Sequence, residues 1–288
     1  MDIATSDTRA LLLEELARTE PFVSVEVRPR KADLDPGAGI SEWIDLHHAL
    51  GRLARDGRFV FLTDNAVGAE EEESLAHVGA NVGDSVDVRY IVPILTCKHS
   101  LDYCKMFASR AASDGFQTLT VLGGDKSVGR PRCVPHGRDL REIVRSRIPS
   151  LALGGWVNPH RDPDRQIDFV MAEDANNDYA LAQIVSHHSL PMVERFLEAA
   201  DRRGLDLPVV FGAFYYRSAN ARTLSVLGDF FPVPAEEITR EFDAGAEADE
   251  VLARTIRGLR EVGADKIYVS NLPTRGIARA LDRVLAKV

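Results

Sequence analysis

The sequence predicts a (β/α)8 barrel with an extra N-terminal helix, one domain over residues 1–288, on three observations. Eight short apolar or β-branched runs alternate with helix-period segments along the chain, the order of a parallel sheet covered by helices. No stretch rich in Pro, Gly or Ser interrupts that alternation to mark a linker. The turn after the first strand carries no GxGxxG, so the competing open doubly wound sheet lacks its dinucleotide fingerprint.

Residues 8–19 open as a helix with Leu11, Leu12, Leu13, Leu16 and Ala17 on one side. The first strand starts at Phe22. Its Val23, Val25 and Val27 alternate with Ser24, Glu26 and Arg28, so the two sets lie on opposite faces, and Pro29 ends the run. Residues 41–56 read as an amphipathic helix with Ser41 as N-cap, and 58–63 as the second strand. A short helix follows at 71–78, its acidic opening suited to the positive end of the helix dipole. Residues 88–95 form the third strand, 100–114 a helix stopped near Gly115, and 116–122 a fourth strand running into Gly123, Gly124 and Asp125. Helices at 138–147, 166–176 and 190–203 then alternate with strands at 150–154, 179–186 and 208–214. One or two acidic-started helices over 234–262, an eighth strand at 266–270 and a closing helix at 274–287 complete the pattern.

Composition narrows the partners. With 288 residues, 45% of them hydrophobic, the chain can bury a sizeable core. Its net charge of -9 disfavours nucleic acid and anionic membranes and favours small molecules. No window of eighteen apolar residues and no basic stretch followed by an apolar core at the N-terminus are found, so a cytoplasmic protein is expected, with its oligomeric state open. Cys97, Cys104 and Cys133 are odd in number and lack CxxC spacing, which reads as reduced thiols.

In such a barrel the chemistry gathers at the C-terminal ends of the strands. That filter selects Glu26, the group Thr63, Asp64 and Asn65, the group Thr96, Cys97 and Lys98, Asp125, Trp156 with Asn158 and His160, Gln183 with His187 and His188, and Tyr215 with Arg217. Carboxylates, amides and aromatic faces without an obvious metal-ligand set suit a flat polar heterocycle, and no metal is expected. If the Glu26 face points inward, desolvation raises its carboxyl pKa and makes it a proton donor near neutrality; the competing reading is a wet strand face with Glu26 paired to Arg28. His187 and His188, as neighbours on a strand, would point to opposite faces. His47 and His48 lie within the second helix and read as surface residues, and Lys126, Arg130 and Arg132 as a local basic loop.

Five segments occur in order at successive strand ends: Ser24-Val25-Glu26, Phe61-Leu62-Thr63, Pro93-Ile94-Leu95-Thr96-Cys97, Leu122-Gly123-Gly124-Asp125 and Ala182-Gln183. Together they resemble the methylenetetrahydrofolate reductases over nearly the whole barrel. The resemblance implies that Glu26 is the acid that protonates a folate ring nitrogen, opening the imidazolidine to an iminium. It further implies that Asp125 and Gln183 hydrogen-bond the pterin, and that Tyr215, or Tyr216 beside it, is an aromatic packed on substrate or nicotinamide. Thr63 and Asn65 would face the cofactor, and Trp156 and His160 would keep part of its groove. Taken without the family, Asp125 is a Gly-Gly-Asp turn residue, Gln183 a strand-end amide and Thr63 an ordinary strand residue.

The chain departs from the family where FAD is held. Ile94, Gly123 and the run Val170, Met171 and Ala172 stand where the flavin enzymes have a His, an Arg and a basic cluster. The pyrophosphate of FAD needs such donors. The expectation is therefore a reductase in which NADH, or NADPH, passes hydride directly to 5,10-methylenetetrahydrofolate without FAD. The alternatives are a flavin enzyme with a rewired site, Lys98 supplying a cation, and a barrel that binds folate without reducing it.

Overall fold

The computed structural model describes residues 9–29, 36–63, 86–125 and 129–288. Eight strands hydrogen-bond in sequence order and all in parallel: β1 (Phe22–Val27), β2 (Val60–Leu62), β3 (Ile91–Thr96), β4 (Thr118–Leu122), β5 (Ala152–Val157), β6 (Tyr179–Val185), β7 (Val209–Phe214) and β8 (Lys266–Ser270). β8 returns to pair with β1 through Val23 opposite Ile267 and Val25 opposite Val269, which closes the sheet into a (β/α)8 barrel.

Alternation along each strand then divides the core in two. Val25 and Val27 join Leu46, Leu50 and Leu53 of the helix Pro36–Arg55 in a shell between sheet and helices. Phe22, Phe61, Tyr179 and Tyr268 belong to the cluster that fills the barrel. Rings of that size fit because two of their register partners are glycines. Tyr268 lies across from Gly212, where an added Cβ would stand 2.5 Å from its hydroxyl, and Tyr179 lies across from Gly154. Two inward hydroxyls are satisfied without water: Tyr179 with Thr120 at 2.6 Å, and Tyr268 donating to the Ala182 carbonyl at 2.9 Å.

The N-terminal helix, Leu11–Leu16, buries Leu12, Leu13 and Leu16 in the same cluster as Phe22 and Phe59. These lie at strand starts, so the helix plugs the bottom of the barrel. Lys266, at the start of β8 and almost fully buried, donates to the carbonyls of Arg18 and Glu20 at 2.6 Å each and so satisfies the chain that leaves this helix.

Several boundaries differ from the sequence reading. The helix expected from Ser41 begins at Pro36, and Ser41 is inside it, its hydroxyl donating to the Gly37 carbonyl at 3.2 Å; it caps nothing. β3 starts only at Ile91, because Val88–Tyr90 turn as a 3-10 helix capped by Asp87. β5 runs on to Val157, which places Trp156 on the strand itself. The helix Ala221–Gly228, capped by Asn220 on the Thr223 N–H at 3.0 Å, was not expected. The helix predicted at 71–78 lies outside the described residues. Among the described residues no helix is long and apolar enough to cross a membrane.

Candidate functional site

Glu26 shares the inward face of β1 with Phe22 and Ser24. Ser24 donates to the Ile267 carbonyl below it at 3.1 Å. One step higher, Ser270 at the end of β8 donates to Glu26 Oε1 at 3.2 Å. Glu26 is half-buried, so it meets the mouth of the barrel while its carboxyl is poorly hydrated. Burial pushes its pKa above the ordinary value, opposed by the Arg28 charge and by the Ser270 hydrogen bond, both of which favour the carboxylate. The polar face of β1 is thus half-buried at Glu26 and exposed at Arg28, whose charge acts on the carboxyl.

The other expected residues divide by where their side chains go. Thr63 follows β2 and donates to the Val27 carbonyl at 3.4 Å, beside the end of β1. Asn65, like Asp64, lies outside the described residues. Thr96 continues the inward series of Val92 and Ile94 on β3 and is fully buried, while Cys97 turns out to the helix shell, its pKa pushed up to about 12 mainly by burial. Lys98 is also buried and donates to the Arg130 carbonyl at 2.9 Å. Asp125 follows Gly124, whose φ of +71° makes the turn that a side chain would strain. The space over Gly123 is occupied by the Arg132 guanidinium, within 3 Å of where a Cβ would stand; Arg132 donates to the carbonyls of Gly124 and Pro135. The sequence reading put a lost cation at position 123, yet the fold returns one from nine residues downstream.

Gln183 sits where β6 shifts register against β7 between Leu181 and Ile184. Its Oε1 accepts from the Ile184 N–H at 2.9 Å and its Nε2 donates to the Phe230 carbonyl at 3.4 Å. Trp156 faces inward and half-buried on β5. His160 is tied into the scaffold: Nε2 donates to the Ile184 carbonyl at 2.8 Å, and Nδ1 lies 3.2 Å from Met192 Sδ. Tyr215, expected against the substrate, is held on the outer side of the barrel wall. Its ring lies in the outer shell and its hydroxyl donates to Asp249 Oδ1 at 2.7 Å, with Arg283 on the other oxygen at 2.9 Å. Tyr216, the next residue, is the one in the inner cluster with Phe214, Phe231 and Leu224. A strand alternates its faces, so a slip of one residue exchanged inside for outside.

The histidines after β6 also behave differently from expectation. They follow the strand's end in a turn, so alternation does not separate them, and both rings aim at one carboxylate. Glu241 Oε1 lies 2.8 Å from His187 Nε2 and 2.6 Å from His188 Nε2. Burial and the adjacent His188 hold the His187 pKa below the ordinary imidazole range, opposed by Glu241. Glu241 gave no signal in the sequence, because its partners are more than fifty residues away.

Ser270 and Glu241 are thus the groups that the sequence reading missed, while Arg132 was read there only as part of a basic loop. Ser270 was accessible to it, since period two on β8 puts Lys266, Tyr268 and Ser270 on one face.

A (β/α)8 barrel with an inward carboxyl at its mouth is the class that fold and site define. The chain matches no protein-family model, and no curated protein matches it in sequence. Among solved structures it is similar to a Clostridium thermocellum protein that binds two copies of 5-methyl-5,6,7,8-tetrahydrofolic acid, with a TM-score of 0.67 and 14% identity over 96% of this chain and 97% of that one. It is also similar to an Aquifex aeolicus VF5 protein, with a TM-score of 0.51 and 10% identity over 96% and 92% of the two chains. At these identities the likeness shows the fold.

Proposed function

We propose that the barrel mouth binds a reduced folate and that the protein reduces 5,10-methylenetetrahydrofolate to 5-methyltetrahydrofolate with NADH or NADPH, without requiring FAD. The single observation that carries this reading is Glu26, an inward carboxyl at the open end of the barrel, hydrogen-bonded by Ser270 and with its pKa raised by burial. Structural similarity to a folate-binding barrel supports the substrate class.

Bound nicotinamide would supply the hydride; the chain supplies orientation and a proton. Glu26 gives its proton to the ring nitrogen that leaves the bridging carbon, and the carbon–nitrogen bond breaks with its electron pair going to that nitrogen. The resulting electrophilic carbon accepts hydride, and Glu26 is reprotonated from solvent at the mouth. Asp125 accepts from the pterin amino and ring N–H groups, a charge-assisted pairing, while Gln183 adds an amide contact. The Trp156 face and the Arg132 guanidinium suit a flat ring and an anionic group respectively.

The test is NADH oxidation by purified protein, shown spectroscopically to be free of flavin, on addition of 5,10-methylenetetrahydrofolate. Steady turnover is the expected result. Turnover only after FAD is added would replace the direct-transfer reading by a flavin mechanism, and none in either case, with folate still bound, would make this a binding protein.

A further inference from the structure

The turn after β6 and the helices Ala235–Asp243 and Ala248–Glu261 bring three ligand-type atoms together on the other side of the β6 end from the site above: His187 Nε2, His188 Nε2 and Glu241 Oε1, all within 4.8 Å of one another. We propose that they form a binding site for a late first-row divalent cation, zinc being the best match to two imidazoles and a carboxylate.

The turn is built to present both rings. Ser189 Oγ accepts from the Ser186 N–H and donates to the Ser186 carbonyl, at 2.9 Å each, and Ser186 Oγ accepts from the His188 N–H at 3.2 Å. The imidazoles then stand side by side, their centroids 4.0 Å apart, with both Nε2 atoms turned the same way. Outer partners fix each ligand. Thr255 Oγ1 lies 2.9 Å from His187 Nδ1, and Arg254 donates to Glu241 Oε2 at 2.5 Å, leaving Oε1 directed at the histidines. Such second contacts are what orient metal-binding imidazoles and carboxylates.

The dimensions suit the ion. Ligand bonds of about 2.0–2.1 Å in a tetrahedral shell put ligand atoms about 3.3 Å apart. The carboxylate oxygen, now at 2.6 and 2.8 Å from the two nitrogens, withdraws by about half an ångström, and the two nitrogens, within 4.8 Å of each other, come to that same spacing by small side-chain rotations. Entry is open, because His188 is exposed and lines a groove of about 420 Å³ with Glu237, Arg240, Glu241, Ala244 and Arg254. Three protein ligands leave one position toward that groove for water. The ion would tie the β6 turn to the helix Ala235–Asp243 and, through Thr255, to the helix before β8, independently of what the barrel mouth binds.

The probe is zinc itself, titrated into chelator-treated protein against a chromophoric competitor, with thermal unfolding followed in parallel. One ion per chain is expected, together with a rise in the unfolding midpoint. His188→Ala and Glu241→Gln should each weaken binding by about 100-fold or more and abolish the rise, since changes in outer partners alone cost roughly 10–100-fold. Thr255→Val, which keeps all three ligands, should fall in that smaller range. His188 is exposed, so circular dichroism of its Ala variant should match the parent and exclude misfolding as the cause of loss. Cobalt loaded in place of zinc should give ligand-field bands without a thiolate charge-transfer band. No stoichiometric binding, undiminished binding in both ligand variants, or a thiolate band pointing to Cys133 would each overturn the proposal.

Discussion

Replacing Glu26 by Gln separates proton donation from everything else this side chain does. The amide has nearly the same shape, and its oxygen can still accept from Ser270, the 3.2 Å contact that holds the carboxyl in place. The Arg28 charge, which is exposed, loses only a through-space attraction to the carboxylate, and exposed charges contribute about 0–1 kcal/mol in this way. The remaining loss is the proton. A positioned general acid contributes roughly 10²–10⁴-fold, or about 2.7–5.4 kcal/mol of barrier. The assay is formation of 5-methyltetrahydrofolate with NADH, kcat and KM measured separately, and folate affinity by equilibrium titration. The loss is expected in kcat, with affinity within a few-fold of the parent. Activity within tenfold of the parent, or a loss explained by weaker binding, would refute the role of Glu26 as the acid.

The same substitution carries a stability prediction of opposite sign. Glu26 has its pKa raised in the folded state, so between its unfolded and folded pKa the native protein binds more protons than the unfolded chain, and stability falls as pH rises through that window. Glu26→Gln abolishes this term. The variant should be more stable than the parent at pH 7 and equal to it at pH 4, as read by denaturant unfolding at the two values; a neutral-pH loss of stability would mean that burial is not what raises the pKa.

Turnover in the parent should be flat at low pH and fall by about tenfold per unit above the raised pKa of Glu26, and Ser270→Ala, which removes a donor to the carboxylate, should move that fall to higher pH; a shift downward or none would contradict the contact. Tyr215→Phe should cost about 1–3 kcal/mol in urea unfolding, because Asp249 loses its buried donor, and should leave the KM for folate unchanged; a raised KM at full stability would return Tyr215 to the substrate. Gly212→Ala should destabilise by about 1–3 kcal/mol, since the new methyl meets the Tyr268 hydroxyl and Ile184, and a neutral result would mean that the rings inside the barrel have room to move.

The sequence by itself determined the barrel and the address of its mouth. Alternating patterns of period two and 3.6 are local, so they survive in the linear order, and strands β6 and β8 begin where their apolar runs do. Glu26 was legible for the same reason: three valines on one face of β1 leave it no choice but the other. Boundaries and partners were decided by tertiary structure. Ser41 reads as a cap until the helix begins at Pro36, and Tyr215 reads as a ligand contact until Asp249, thirty-four residues away, claims its hydroxyl. Arg132 over Gly123 and Glu241 under two histidines belong to the same class of fact. Closing a barrel brings residues from separate loops to one ring of positions, and a pattern with a period of two or four residues carries no record of which loop will arrive there.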